Sequence, residues 1–262
     1  MTTRPPETAK SIARSVLEAE VARITDEMDS RGVPLRVLGS LGVALHCPAS
    51  SAVLLPAFER TYADIDFAGY QSDAGAISTF LASIGYAEDR EVAMTSEGRR
   101  GLFDHPGSAI HLDVFYDRLE FCHRIPLAGR LEGDRPTIPL AELLLSKLQI
   151  AKINEKDVVD IILLLLDHEL ADRDDGAIDV GRVARLCAAD WGLWRTTTGN
   201  LEKVSALALA YPQLDEAARA RVIGQVRSVV ASLDAEPKSF GWRARSRIGE
   251  RVKWWTDVDE VR

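Results

Sequence analysis

Asp64, Asp66 and Asp113 are the side chains in this sequence whose types and spacing point most directly to chemistry. The run Asp64-Ile-Asp-Phe67 reads as a strand. Strand residues alternate faces, so both carboxylates project from one side while Ile65 and Phe67 enter the core. Like charges held that close repel, and a divalent cation bound by hard oxygen ligands is the usual compensation. Asp113 lies in Ile110-His-Leu-Asp-Val-Phe115, where Ile110, Leu112 and Val114 share one face and His111, Asp113 and Phe115 the other. A carboxylate in so apolar a strand is costly without a partner. If the two strands are neighbours, three acids converge. Two magnesium ions can then be clamped, one carrying a nucleoside triphosphate and one activating an attacking hydroxyl, with Asp113 as ligand or base. The plain alternative is a set of acids exposed on an edge strand.

Gly39-Ser40 stands between a strand expected over Val33–Leu38 and a helix opening at Leu41–Leu45. Free backbone N–H groups and the positive helix end attract phosphate at such a junction; glycine permits close approach and a serine hydroxyl donates. A tight turn with Ser40 as N-cap is the bland reading of the same pair. Lys147 falls inside an apolar helical stripe of Leu140, Leu143, Leu144, Leu148 and Ala151. Either its stem carries the ammonium out to water, or the ammonium reaches a triphosphate or a carboxylate in the cleft. Asn154 is a plausible N-cap with Asp157 at the third helical position, and Lys156 and Asp160 are spaced as a helical pair, so scaffold and site are both open for Lys156 and Asp157.

The elements that must position these groups are legible in outline. Apolar residues at helical spacing give a first helix over residues 8–30, ended near Gly32. Residues 48–61 read as a Pro- and Ser-containing connection. Asp73 opens a helix running to Ile84, and further strands are expected at Glu91–Thr95, Gly101–Asp104 and Ala109–Phe115, ending a sheet unit near residue 118. From Pro139 the pattern is leucine-rich and helical, to about Trp255. Gly129, Gly133 and Pro136 mark a boundary within 128–138. The expectation is therefore an α+β protein, with an α/β domain over 1–130 followed by a helical domain over 131–262.

The order strand, Gly39-Ser40, helix, Asp64-Ile-Asp66 strand and later Asp113 strand resembles the nucleotidyltransferase superfamily typified by DNA polymerase beta. Arg60-Thr61, Lys147 and the run Lys156-Asp157 are similar to motifs of a narrower group, the AbiEii-like toxins of type IV toxin–antitoxin systems. The likeness spans residues 35–168. It implies a mixed sheet with flanking helices, a metal held by Asp64, Asp66 and Asp113, and an NTP contacted by Gly39, Ser40, Lys147 and Lys156. It also implies transfer of a nucleoside monophosphate to an acceptor hydroxyl. The tRNA 3′ end is the acceptor the narrower group suggests, with a separate antitoxin as partner. A small acceptor such as an aminoglycoside, or a non-catalytic nucleotide-binding module, are the competing readings. The interval from Ser40 to Asp64 is longer than in compact members, pointing to an inserted loop.

Bulk properties narrow the field. The chain has 262 residues, 46% hydrophobic and 27% charged, enough for a substantial core. Its net charge of -8 argues against a surface built for unspecific nucleic-acid binding but leaves room for a local basic groove. Three widely spaced cysteines, Cys47, Cys122 and Cys187, fit reduced thiols of a cytoplasmic protein better than disulfides, and His46-Cys47 and Cys122-His123 lack zinc-site spacing. The longest apolar run, Ile161–Leu166, is far short of the roughly 20 residues of a membrane span, and the N-terminus lacks a signal-peptide pattern. Residues 238–255 mix Lys238, Arg243, Arg245, Arg247, Arg251 and Lys253 with Trp242, Trp254 and Trp255. Such a segment either grips RNA through phosphates and stacking or docks its tryptophans on the core beneath a solvated face.

Overall fold

The computed structural model describes residues 12–57, 62 and 64–257. Arg60-Thr61 and residues 8–11 of the expected first helix lie outside them. Helix α1 (Arg14–Ser30) buries Leu17, Val21, Ile24 and Met28, a stripe at alternating spacings of four and three. Strand β1 (Arg36–Val37) leads directly into α2 (Gly39–His46), whose N-cap is Leu38; Ser40 is therefore the second helical residue and not the cap. The expected connection after it is a helix, α3 (Pro48–Ala57). Proline is well suited to a first helical position, where its missing N–H has no partner to lose, and Leu54 and Leu55 are buried.

Strand β2 (Asp64–Gly69) is followed by α4 (Ala74–Ser83), β3 (Ala87–Glu88), α5 (Arg90–Thr95), β4 (Arg100–Asp104) and β5 (His111–Tyr116). The strand expected at Glu91–Thr95 is thus a short helix. Its alternation of Val92 and Met94 loses to the Asp89 side chain, which accepts from the backbone N–H of Glu91 and Val92 and caps the turn. These strands form one mixed sheet of order β1-β2-β5-β4-β3, parallel between β2 and β5 and antiparallel elsewhere. The hairpin of β6 (Arg118–Glu120) and β7 (Arg124–Pro126) carries extended structure past the expected end near 118.

Helices α6 (Leu140–Leu148) and α7 (Glu155–Asp167) come next, then a small parallel pair β8 (Leu170–Ala171) and β9 (Ile178–Asp179). Helices α8 (Val180–Ala189), α9 (Trp191–Ala210), α10 (Glu216–Ala235) and α11 (Phe240–Ile248) follow. Helix stops short of Trp255: after a 3-10 turn over Gly249–Arg251 there is no helix in residues 252–257. The architecture is the α+β class expected, a mixed sheet with flanking helices followed by helices. No single helix among the described residues is long and apolar enough to cross a membrane.

The later helices do not stand apart from the sheet. Val37 donates its backbone N–H to Pro136 O and accepts from Ile138 N–H, both at 2.9 Å, which ties the segment before α6 to β1. Helix α6 is buried along its whole length and packs on α2, α7, α8 and α9. Its interior position brings Glu142 and Lys147 inside. Glu142 is neutralised by Arg130 and Arg182 at 2.7 and 2.9 Å. Lys147 reaches Ser40 at the start of α2, where the candidate site lies.

Candidate functional site

The parallel register sets Asp66 directly opposite Asp113 and Asp64 opposite His111. Paired residues of neighbouring strands share a face, so the three acids do converge on one side of the sheet. The Asp66 carboxylate leans over the start of α2. A Cβ placed on Gly39 would stand 2.2 Å from Asp66 Oδ2, and Gly39 has φ +68°, so only glycine suits the position. Gly39→Ala is expected to lower stability by about 1–3 kcal/mol, the cost of a strained left-handed residue compounded by the collision. Urea unfolding measures it; an unchanged midpoint would show that neither the left-handed backbone nor the Asp66 carboxylate constrains the position.

The three acids are not equivalent. Asp113 is buried and bound by Arg100, whose Nε lies 2.8 and 3.0 Å from its two oxygens and whose Nη2 also touches Oδ2. Burial pushes the Asp113 carboxyl up and Arg100 pulls it back, leaving it above its ordinary value. The Asp66 carboxylate accepts no hydrogen bond from any described residue. Its pKa is pushed up to about 8, first by burial and then by the charges of Asp64 and Asp113, against the weaker pull of Lys147 and Arg100. Among the described residues no set of three His, Cys, Asp or Glu side chains is disposed as it stands to hold a metal ion. The donor chemistry at Asp64 and Asp66 suits a hard divalent cation, and an unpartnered carboxylate with a raised pKa is what such a cation would relieve. Asp113 already has its cation in Arg100.

Behind Gly39 the phosphate-binding candidates form a network. Ser40 Oγ donates to Asp160 Oδ2 at 2.8 Å and accepts from Lys147 Nζ at 3.1 Å. Lys147 Nζ also meets Asp157 Oδ1 at 3.1 Å and Asp160 Oδ2 at 2.9 Å. Burial pulls the Lys147 ammonium down, but Asp160 and Asp157 together hold it above its ordinary value. Its stem does not lead out to water; of the two sequence readings, the one that carries the ammonium to a carboxylate in the cleft describes it. Asn154 caps α7, accepting from Asp157 N–H at 3.1 Å, while the Asp157 carboxylate turns to Lys147. Lys156 is exposed on α7 and does not line the cleft.

A cleft of about 600 Å³ opens in front of this network. Gly39, Asp66, Lys147 and Asp157 line one part of it, and Phe121, Cys122, Ile150, Ala151 and Trp255 another. Sequence reasoning missed Arg100, and it gave Asp160 only as a helical partner of Lys156, whereas Asp160 meets Lys147 and Ser40. Arg100 pairs in register with Phe115, two residues from Asp113 on the same face, and stacks 5.4 Å from the Phe115 ring centroid; only the register reveals that. Asp160 has a local signal, since it follows Asp157 by three residues on α7 and so faces the same way.

Comparison with known proteins adds little. No family model matches the chain, and no curated protein is significantly similar to it in sequence. An antigenic nucleotidyltransferase-like protein from Paracoccidioides brasiliensis is a structural neighbour with TM-score 0.41 and 13% identity, covering 88% of this chain and 98% of that one.

In the basic tail, aromatic docking accounts for much of the composition. Arg245 lies 4.6 Å from the ring centroid of Trp191, Lys238 5.9 Å from that of Trp242 and Lys253 5.3 Å from that of Trp255. Arg245 also donates to the carbonyls of Gly249 and Val252. These cations are engaged within the chain.

Proposed function

We propose that this chain is a nucleotidyltransferase that transfers a nucleoside monophosphate from an NTP to an acceptor hydroxyl, releasing pyrophosphate. The observation that carries the reading is the unpartnered Asp66 carboxylate poised over the glycine that opens α2, in a cleft that Lys147 also lines. The N–H groups of Gly39 and Ser40 at the positive end of α2 donate to the triphosphate oxygens. Lys147 supplies the balancing positive charge by sharing its ammonium among Asp157, Asp160 and the phosphates. Asp64 and Asp66 hold a divalent cation which, when bound, neutralises charge on the phosphates and acidifies the attacking hydroxyl. Arg100 fixes the Asp113 carboxylate on the same face, where it accepts a hydrogen bond from the acceptor. The acceptor is read from resemblance as the tRNA 3′ end, with a small hydroxylated molecule as the competitor and an antitoxin protein as the partner to look for.

The test is incubation with each α-labelled NTP and magnesium, with total RNA in one arm and an aminoglycoside pool in the other. Label should pass to one acceptor class, with Asp64→Ala reducing transfer at least a hundredfold, the size expected for a group that stabilises transition-state charge. Labelling that survives Asp64→Ala would remove the metal assignment. The Arg100–Asp113 pair favours a second reading, a nucleotide-binding module without turnover, because it occupies the third acid. That reading predicts NTP binding by calorimetry and no transfer to any acceptor.

A further inference from the structure

All five tryptophans of the chain lie in one connected group. Trp242 meets Trp194 at 5.2 Å between ring centroids, Trp194 meets Trp191 at 6.5 Å, Trp191 meets Trp254 at 5.8 Å and Trp254 meets Trp255 at 4.8 Å. Trp191 and Trp194 stand on α9, and through them Trp242 of α11 and Trp254 anchor the tail there. Trp255 is at the end of the series and lines the cleft. It is held there from both sides: Trp254 Nε1 donates to Thr196 Oγ1 at 3.1 Å, and Thr256 N–H donates to Cys122 O at 3.1 Å. The residues after α11 therefore form a strap that returns across the molecule and completes the cleft wall.

The lining divides by chemistry. Gly39, Asp66, Lys147 and Asp157 are charged or offer backbone N–H groups; Asp66 closes on Gly39, and Lys147 pairs with Asp157. Phe121, Cys122, Ile150, Ala151 and Trp255 are apolar or aromatic, joined through Cys122, whose Sγ accepts from Ala151 N–H at 3.4 Å. The exposed Lys152, Asn154, Thr256 and Asp257 add charged and hydrogen-bonding groups at the rim. A ligand with an anionic end and a flat aromatic end matches that division, and the volume is of the size that holds a small molecule.

We propose that Trp255 is the nucleobase platform of the donor nucleotide, so that the strap over 252–257 supplies half of the NTP site. The inference rests on the nucleotide-binding reading given above and extends it to a residue far along the chain from every motif. Aromatic stacking tolerates any base, because each has a π-face, and leaves discrimination to the rim groups.

Binding of ATP, CTP, GTP, UTP and inorganic tripolyphosphate, each with magnesium, is measured by calorimetry on the full chain and on Trp255→Ala and Trp255→Phe. Trp255→Ala should weaken the preferred NTP about tenfold, the order of one lost base stack. Tripolyphosphate should bind both proteins within about twofold, and Trp255→Phe should recover most of the NTP affinity. Equal NTP affinity in wild type and Trp255→Ala overturns the proposal, as does a parallel loss for NTP and tripolyphosphate, which marks a merely structural role. Wild type that binds tripolyphosphate no more weakly than NTP overturns it while leaving phosphate binding intact; wild type that binds neither overturns the nucleotide reading itself. Should Trp255→Ala fail to fold, 5-fluorotryptophan labelling of the otherwise unaltered chain decides. Trp255→Phe identifies the Trp255 signal, NTP must shift it, and tripolyphosphate must not; a signal unmoved by NTP overturns the proposal.

Discussion

Asp66→Asn is expected to stabilise the cation-free protein at pH 8 while abolishing transfer. The Asp66 carboxyl is pushed from an ordinary value of 3.8 to about 8 in the folded chain, chiefly by burial and then by Asp64 and Asp113. A raised folded pKa means that the native state binds this proton more tightly than the unfolded state does. Below about pH 4 both states are protonated and the residue costs nothing. Between pH 4 and 8 the unfolded chain gives up a proton that the folded chain keeps, so stability falls with rising pH. Above 8 the folded state carries the full charge and the cost is complete. Each unit is worth about 1.4 kcal/mol, and water in the cleft screens part of it, so a total on the order of a few kcal/mol is expected. Asparagine does not titrate. In chelator, the unfolding midpoints of the two proteins should coincide near pH 4 and separate progressively to pH 8, with the variant the more stable. Saturating magnesium should raise the wild type at pH 8 and leave the variant unmoved, while transfer falls on the order of a thousandfold, as for loss of a preorganised electrostatic group. A stability difference that does not change between pH 4 and 8 would contradict the assignment of Asp66 as the uncompensated charge of the site.

That charge was visible in the sequence because period-two alternation puts Asp64 and Asp66 on one face, and because Asp113 interrupts an apolar run. What alternation cannot supply is which strands meet. The approach of Asp113 depends on the parallel pairing of β2 with β5 across an intervening segment that contains α4, β3, α5 and β4, and Arg100 reaches Asp113 only because β4 runs antiparallel beside it. Local pattern also misled where a single cap outweighed it, as with Asp89 turning Glu91–Thr95 into α5. The tail illustrates a third case. Its basic and aromatic composition was plain, but composition does not say that four tryptophans serve as anchors and the fifth faces a cleft. Lys147 was legible as an anomaly, a cation in an apolar stripe. Its partners were not, because the stripe reading assumes a helix with one solvent face, whereas α6 is buried all round and draws in Asp157 and Asp160 from α7. The exposed Lys156 shows the converse: adjacent in sequence to the buried Asp157, it does not line the cleft.

Lys147→Met is expected to destabilise the protein by about 3–5 kcal/mol, the range for removing one partner of a buried ion pair. The side chain volume is nearly kept, so little of the loss comes from packing. Asp157 and Asp160, buried to 8% and 1% exposure, would both lose the ammonium that lies 3.1 and 2.9 Å from them. Adding Asp157→Asn and Asp160→Asn to Lys147→Met removes the two charges that Lys147 faced, and the triple variant should recover much of the stability. Nucleotide binding should not recover with it, because the positive charge facing the phosphates is still missing. That split separates the two roles of the residue. If the triple variant regains stability and NTP affinity together, Lys147 serves only to neutralise Asp157 and Asp160, and the phosphates are held by the N-terminus of α2 alone. If stability returns and affinity does not, the ammonium is shared between the carboxylates and the triphosphate, and its two aspartates act as the counter-charge that keeps it in place when the cleft is empty.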